Sequence, residues 1–348
     1  MNIKPILRQH LDSYANLLVR QIKNSGYAGE FISDEHISPL NETRLLCQTR
    51  GIFFLLDYAV ITNNDDYIEL AIKLHETIQS NYYSPTTQSW TQLPLSVVEQ
   101  NISKDKMLYE YAFVITAFAK LYAVTNDEAL LTSIDQVRLI IAKDFYNPHA
   151  KFSYLIDKQK GVNQNALMHL LEAYIELNSV TENLLYRHEL QALAEDLIPL
   201  IYDTNAQLIR EYSGQAVFEP GHSFEWASLI LEAQSKGFLP LTILNHQELA
   251  TSAERQGISA NNMVLAELTS DKLASEVYRI WPLLERIRYY AMTNDSKLSL
   301  ALESLVKVFF STQNLPYEYV NQELVPMQDR VKATTGYHII NCYKYILG

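Results

Sequence analysis

One turn signal occurs three times in this chain. Thr62-Asn63-Asn64-Asp65, Val124-Thr125-Asn126-Asp127 and Met292-Thr293-Asn294-Asp295 are near-copies, each ending one apolar-periodic segment and capping the next. The flanking segments repeat their apolar residues at helical spacing. In 44–59 these are Leu45, Leu46, Ile52, Phe53, Leu55, Leu56 and Ala59; in 107–123 they are Met107, Leu108, Ala112, Phe113, Ile115, Ala119 and Tyr122. Such recurrence marks helices with a broad buried stripe. The pattern predicts twelve helices, over about 4–25, 41–62, 65–81, 107–125, 127–145, 163–178, 181–202, 222–236, 247–257, 272–293, 295–312 and 334–347.

Twelve helices joined as hairpins predict an all-α (α/α)6 barrel, a toroid of six inner helices ringed by six outer ones. Residues 1–348 are expected to form one such domain. The longer stretches 83–98, 147–160, 207–220 and 313–330 read as short β or irregular loops gathered at the active-site end. An α-solenoid is the rival architecture. It gives no reason for histidines and acids to recur near helix starts after the long loops.

The formal net charge is -12, with a pI near 5.2. An acidic surface repels phosphate backbones, so neither nucleic acid nor an anionic membrane is an expected partner. No run of about 18 consecutive apolar residues marks a transmembrane helix. The two cysteines, Cys47 and Cys342, form no disulfide framework or metal-ligand spacing and read as small buried residues. A cytoplasmic location is expected, and a homo-oligomer is possible. Phosphate-binding loops, dinucleotide fingerprints and a serine-nucleophile elbow are all missing.

Three of the nine histidines follow long loops and open, or nearly open, helices: His169, His222 and His338. A helix N-terminus disfavours imidazolium, so all three are expected to be neutral bases. His169/Glu172 and His222/Glu225 are spaced to share a helix face, where the carboxylate orients the imidazole or binds a hydroxyl. A purely structural His–Glu pair fits the same spacing. Its order, His-x-x-Glu, does not favour a metal site. Arg50 stands in an apolar helix, either as a buried salt bridge or as a guanidinium aimed at a developing oxyanion. Trp281 precedes Pro282 and Glu285, and packs in the core or covers a sugar face. Tyr109, Tyr111, Tyr289, Tyr290 and Tyr337 suit a carbohydrate cleft.

The run Glu219-Pro220-Gly221-His222-Ser223-Phe224-Glu225-Trp226 resembles the Glu-Pro-Gly-His-x-x-Glu-Trp of the N-acylglucosamine 2-epimerase family. Looser matches follow in family order: Gln48-Thr49-Arg50, Tyr109 to Phe113, Asn165 to Glu172, Trp281-Pro282 with Glu285, and Tyr337-His338. The resemblance runs from about residue 40 to the C-terminus and implies an (α/α)6 barrel acting on a small sugar without metal or redox cofactor. It implies that His222 and His338 flank C2 of the open-chain sugar. By the same resemblance His169 serves ring opening, Arg50 holds the O1/O2 side, and Glu225 positions hydroxyls and orients His222. Asn165, Tyr109, Trp281, Glu172 and Glu285 are the expected substrate contacts.

The chemistry fits these residue types. Removing a proton alpha to a carbonyl needs a base near neutral pKa and an electrophile for the enediolate oxygen. The expected reaction is aldose–ketose isomerisation or 2-epimerisation at C1/C2 of a mannose- or N-acylglucosamine-type aldose. Ala333-Thr334-Thr335-Gly336-Tyr337-His338 favours mannose-type isomerisation. The departures at Leu283, Tyr111 and Leu167 are expected to bear on sugar choice. A barrel-fold glycoside hydrolase or lyase, which needs two facing carboxylates, and a non-catalytic sugar-binding protein are the alternatives.

Overall fold

The structure is a computed structural model describing residues 3–33, 37–97, 104–146, 156–157, 160–269, 277–310, 314–327 and 330–348. Among the described residues there are twelve α-helices: α1 (Lys4–Ser25), α2 (Leu45–Thr62), α3 (Asp66–Asn81), α4 (Lys104–Thr125), α5 (Glu128–Asp144), α6 (Gln164–Val180), α7 (Leu184–Ile201), α8 (Pro220–Ser235), α9 (His246–Gly257), α10 (Ile280–Thr293), α11 (Leu298–Ser304) and α12 (Thr335–Leu347). The even-numbered helices pack each on the next, and α12 packs back on α2. That closure makes the (α/α)6 toroid and excludes a solenoid. Each odd-numbered helix lies outside, against an inner neighbour.

Burial separates the two rings. Every residue of α2 from Leu45 to Leu56 is buried, whereas α3 buries only Leu70, Ala71, Leu74 and Ile78. An inner helix touches protein on all sides, so it is apolar all round; an outer one keeps a stripe. Each large apolar side chain so buried contributes roughly 1.5–3 kcal/mol. By length and composition α2 and α4 resemble membrane spans, yet 78% and 67% of those windows are buried within the fold.

The repeated turns do what their residues dictate. Asn63, Asn126 and Asn294 have φ of 51°, 53° and 53°, the left-handed conformation that asparagine tolerates. Asn64, Asp127 and Asp295 then accept the backbone N–H of Asp66, Ala129 and Lys297. These tight turns all leave an inner helix for an outer one. The long returns therefore gather at the opposite end, where every inner helix begins.

The returns carry two-residue and three-residue strands: β1 (Phe31–Ile32), β2 (Tyr83–Ser84), β3 (Ser89–Trp90), β4 (Ile156–Asp157), β5 (Gly161–Val162), β6 (Tyr202–Asp203), β7 (Leu208–Ile209), β8 (Val277–Arg279), β9 (Tyr319–Asn321) and β10 (Val331–Lys332). All pair antiparallel: β2 with β3, β4 with β5 and β6 with β7 as hairpins, β8 with β9, and β1 with β10. The β1–β10 pair ties the first return to the last.

Two helix boundaries differ from expectation. The helix predicted over 272–293 begins at Ile280, because Val277, Tyr278 and Arg279 instead pair with β9; residues 272–276 lie outside the described residues. The one predicted over 295–312 ends at Ser304 and continues as a wider π turn, Leu305–Phe309.

A charged ring closes the far end. Asp57 (α2), Lys120 (α4), Glu176 (α6), Glu232 (α8), Arg288 (α10) and Lys344 (α12) take one residue from each inner helix, three acids and three bases. Lys120 bridges Asp57 and Glu176 (3.8 Å), Lys344 reaches Asp57 at 3.4 Å, and Arg288 approaches Glu232 at 3.6 Å. Their opposite charges offset the cost of removing each from water.

Candidate active site

Every inner helix contributes a side chain from its first two turns to one cavity of about 370 Å³ at the long-return end. Arg50 comes from α2, Tyr109 from α4, Asn165 and His169 from α6, His222 and Glu225 from α8, Trp281 from α10 and His338 from α12. Two glycines permit this crowding. A Cβ on Gly221 would lie 2.7 Å from Pro282 and 2.8 Å from the Trp281 ring. One on Gly336 would lie 2.5 Å from the ring of Tyr14, whose hydroxyl donates to the Ala333 carbonyl at 2.6 Å.

Each imidazole is held through Nδ1 by a carboxylate. His169 donates to Glu172 at 2.9 Å, His222 to Glu211 at 2.8 Å and His338 to Glu285 at 2.6 Å. A carboxylate can only accept, so Nδ1 carries the proton and Nε2 is left for the cavity. The three rings do not share one charge state. Burial lowers His169, against the pull of Glu172, and takes His338 down to about 4 despite Glu285. Burial also opposes charge on His222, but Glu211, with Glu219 and Glu225, raises it to about 9. The expectation of three neutral histidines is thus corrected: His222 is an imidazolium because it faces more negative charge than its helix terminus can offset.

Arg50 forms no salt bridge among the described residues. Its guanidinium lies between the rings of Phe113 (4.3 Å) and Tyr337 (4.5 Å), and donates to the Tyr109 hydroxyl (2.7 Å) and the Thr334 carbonyl (3.2 Å). Its Nε has no partner, nor do Oδ1 of Asn165, Oε1 of Glu225 and Nε1 of Trp281. Native interiors leave few such atoms, and these four belong to residues lining one cavity. A ligand with several hydroxyls would satisfy them. Trp281 lies between two of the imidazoles, its ring centroid 4.8 Å from His222 and 5.6 Å from His338. An apolar indole face beside polar edges suits a sugar.

Residues 26–342 match the sequence model of the family described as N-acylglucosamine 2-epimerase (GlcNAc 2-epimerase). The chain belongs to the N-acylglucosamine 2-epimerase family. It is therefore of a family of sugar epimerases and isomerases. A mannose-6-phosphate isomerase of Rhizobium meliloti (strain 1021) is 23% identical over 261 residues, 67% of each chain. The fold matches a cellobiose 2-epimerase from Bacillus thermoamylovorans B4167 at a TM-score of 0.82 and 16% identity, covering 100% of this chain and 99% of that one. It matches a D-mannose isomerase at 0.80 and 17%, covering 98% and 96%. An α-1,6-mannanase from Salegentibacter sp. HEL1_6 shares the fold at 0.65 and 11% identity over 100% of both chains.

Within this family member, some expected site residues stand behind the cavity rather than on it. Glu172 and Glu285 do not line it; they orient His169 and His338. Burial alone would raise Glu172, but His169, Arg288 and the Tyr337 hydroxyl that donates to it bring it down to about 2. Glu285 is likewise lowered against burial, by His338 and by Arg288 at 3.3 Å. Glu225 does line the cavity but does not hold His222. Burial and the charges of Glu285 and Glu172 push it well above the carboxylate range, making it a neutral acid. Glu211 holds His222 instead, on a return read only as an irregular stretch. The motif's Trp226 donates to Gln164 (2.7 Å), and Gln164 donates to the other Glu211 oxygen (3.3 Å).

Tyr111 is buried in the core, and Tyr289 and Tyr290 bond His246 and Glu254 away from the cavity. Leu283, Leu167 and Tyr111 are all buried off the cavity wall, so these departures do not bear directly on sugar choice. Three His/Glu sets bring ligand-type atoms within 4.8 Å of one another: His169, Glu172 and Glu225; Glu211, Glu219 and His222; and Glu225, Glu285 and His338. In each set the histidine Nδ1 and a carboxylate are already joined by a hydrogen bond, and no set keeps three donors free for a cation.

Proposed function

We propose that this protein moves a proton at C1/C2 of a mannose-type aldose through a cis-enediolate, with aldose–ketose isomerisation as its reaction. The observation that carries this reading is the opposed charge of two imidazoles on one cavity, neutral His338 and cationic His222. Two groups whose surroundings push their pKa values apart are suited to be base and acid. Catalytic imidazoles of this kind each contribute roughly 10²–10⁴-fold.

The opened sugar presents its C1 aldehyde and the C2 proton. His338 Nε2 takes that proton, and the electron pair left at C2 forms the C1–C2 double bond as negative charge moves to O1. Arg50, with its Nε unpartnered, stabilises that oxygen, and His222 donates a proton to it. The O2 proton then leaves as the C2 carbonyl forms, and His338 returns its proton to C1, giving the ketose. If a proton is delivered instead to the opposite face of C2, the product is the 2-epimer. His169 is placed to serve ring opening. The mannose isomerase and mannose-6-phosphate isomerase among the similar proteins support the sugar type.

A panel of free and phosphorylated aldoses in heavy water, read by NMR, tests this. Deuterium at C2 with ketose formation is expected from mannose. His338→Ala and His222→Ala are each expected to abolish the exchange. A wild-type protein that leaves C2 undeuterated, or a His338→Ala variant that still exchanges, would sink the assignment.

A further inference from the structure

A second cavity of about 330 Å³ adjoins the first and shares Arg44, Leu46, Tyr109 and Asn165 with it. Its own wall includes Gln92, Lys106, Glu110 and Asn163. Glu110 is 1% exposed, and its Oε2 has no hydrogen-bond partner, while Oε1 accepts from Gln92 at 3.2 Å. A buried carboxyl with one vacant oxygen on a cavity wall is costly to keep unless something fills the vacancy. From this annex we infer that the protein binds an aldose carrying a second, neutral glycosyl unit, and that Glu110 is the specificity-determining residue that reads that unit's hydroxyls.

The inference rests on the proposed aldose reaction in the first cavity. That reaction leaves C1 and C2 unsubstituted, so whatever enters the annex is attached through C3 to C6. The chemistry of the wall favours hydroxyls over phosphate. The two unpartnered buried atoms, Glu110 Oε2 and Asn165 Oδ1, are acceptors, and a sugar hydroxyl supplies donors whereas an ionised phosphate supplies none. The nearby cations are poorly disposed to a phosphate: Arg44 already binds Glu30 at 2.7–3.2 Å, and Lys106 is exposed. Burial raises Glu110 to about 7, so near neutrality it both accepts from and donates to hydroxyls, and an adjacent phosphate dianion would add repulsion.

Three sugars separate the possibilities: mannose, a mannose carrying a β-glucosyl group on O4, and mannose 6-phosphate. C2 deuterium exchange is measured with wild type, Glu110→Gln and Glu110→Leu, and binding of the reduced disaccharide, which cannot react, is measured by calorimetry. The wild type is expected to show a higher kcat/KM for the disaccharide than for mannose. Glu110→Leu is expected to lower that ratio at least tenfold, through KM, and to weaken the reduced disaccharide at least tenfold; Glu110→Gln, which keeps the shape and part of the polarity, should lose less. An unchanged ratio and unchanged disaccharide binding in Glu110→Leu would overturn the annex, as would a preference for mannose 6-phosphate over the disaccharide. If wild type exchanges none of the three sugars yet binds the reduced disaccharide through Glu110, the annex stands and the isomerase reading fails.

Discussion

Glu211→Gln isolates the charge that keeps His222 protonated. The variant preserves size and a hydrogen-bond acceptor but removes the negative charge 2.8 Å from Nδ1. Between the ordinary histidine value of 6.5 and about 9 lies about 3 kcal/mol favouring the imidazolium, at roughly 1.4 kcal/mol per pH unit. Burial pushes the other way, so the favourable charges must exceed even that. Glu225 is itself a neutral acid and Glu219 stands farther off, at 3.8 Å, which leaves Glu211 as the principal counter-charge. The alkaline limb of the pH–rate profile for C2 exchange should therefore move down by about 1–2 pH units in the variant.

Thermal stability gives a second reading of the same charge. A raised imidazole stabilises the fold fully below its unfolded value of 6.5 and loses that contribution as pH rises through about 9. The gap in melting temperature between wild type and Glu211→Gln should be widest below pH 6.5 and should narrow above pH 9. An alkaline limb that does not move, in a variant whose wild-type parent needs His222 for exchange, would refute the assignment of His222 as a charged acid.

Other substitutions follow from the same geometry. Gly221→Ala should push the Trp281 ring off His222 and lower kcat/KM about 100-fold, as a displacement near 1 Å at a reacting centre does; unchanged kinetics would show that the 2.8 Å approach is not needed. Asp57→Asn should cost about 3 kcal/mol in urea unfolding, because two lysines lose their shared partner, and adding Lys120→Met should recover part of that loss. Glu110→Gln should gain stability over wild type as pH rises from about 4.5 to 7, by about 3 kcal/mol, and hold that gain above it. In that window the unfolded chain has released a proton that the folded carboxyl retains.

The fold was legible because periodicity and asparagine turns are local signals. Asn63, Asn126 and Asn294 announce their left-handed caps without reference to anything distant. The cavity residues Arg50, Tyr109, Asn165, His169, His222, Glu225, Trp281 and His338 were legible because each sits near a helix start in a family-like motif. What was not legible is which acid serves which imidazole. Helical spacing pairs His169 with Glu172 correctly, but pairs His222 with Glu225, while the true partner Glu211 arrives from a return whose path only the tertiary structure sets. The charged ring had a signal that periodicity alone did not expose: Asp57, Glu176, Glu232 and Arg288 each follow Arg50, His169, Glu225 and Trp281 by seven residues. Seven residues are about two turns on the same helix face, roughly 10 Å deeper.

That ring gives the barrel a floor. Phe53, Phe113 and Tyr337 stack between it and the cavity, with Lys120 Nζ 4.5 Å from the Phe53 ring. A toroid of helices is a tube by construction, yet this one is a cup. Whatever enters at the long-return end must leave by the same mouth, so product departure and substrate arrival contend for one doorway, and the returns that frame it govern the traffic in both directions.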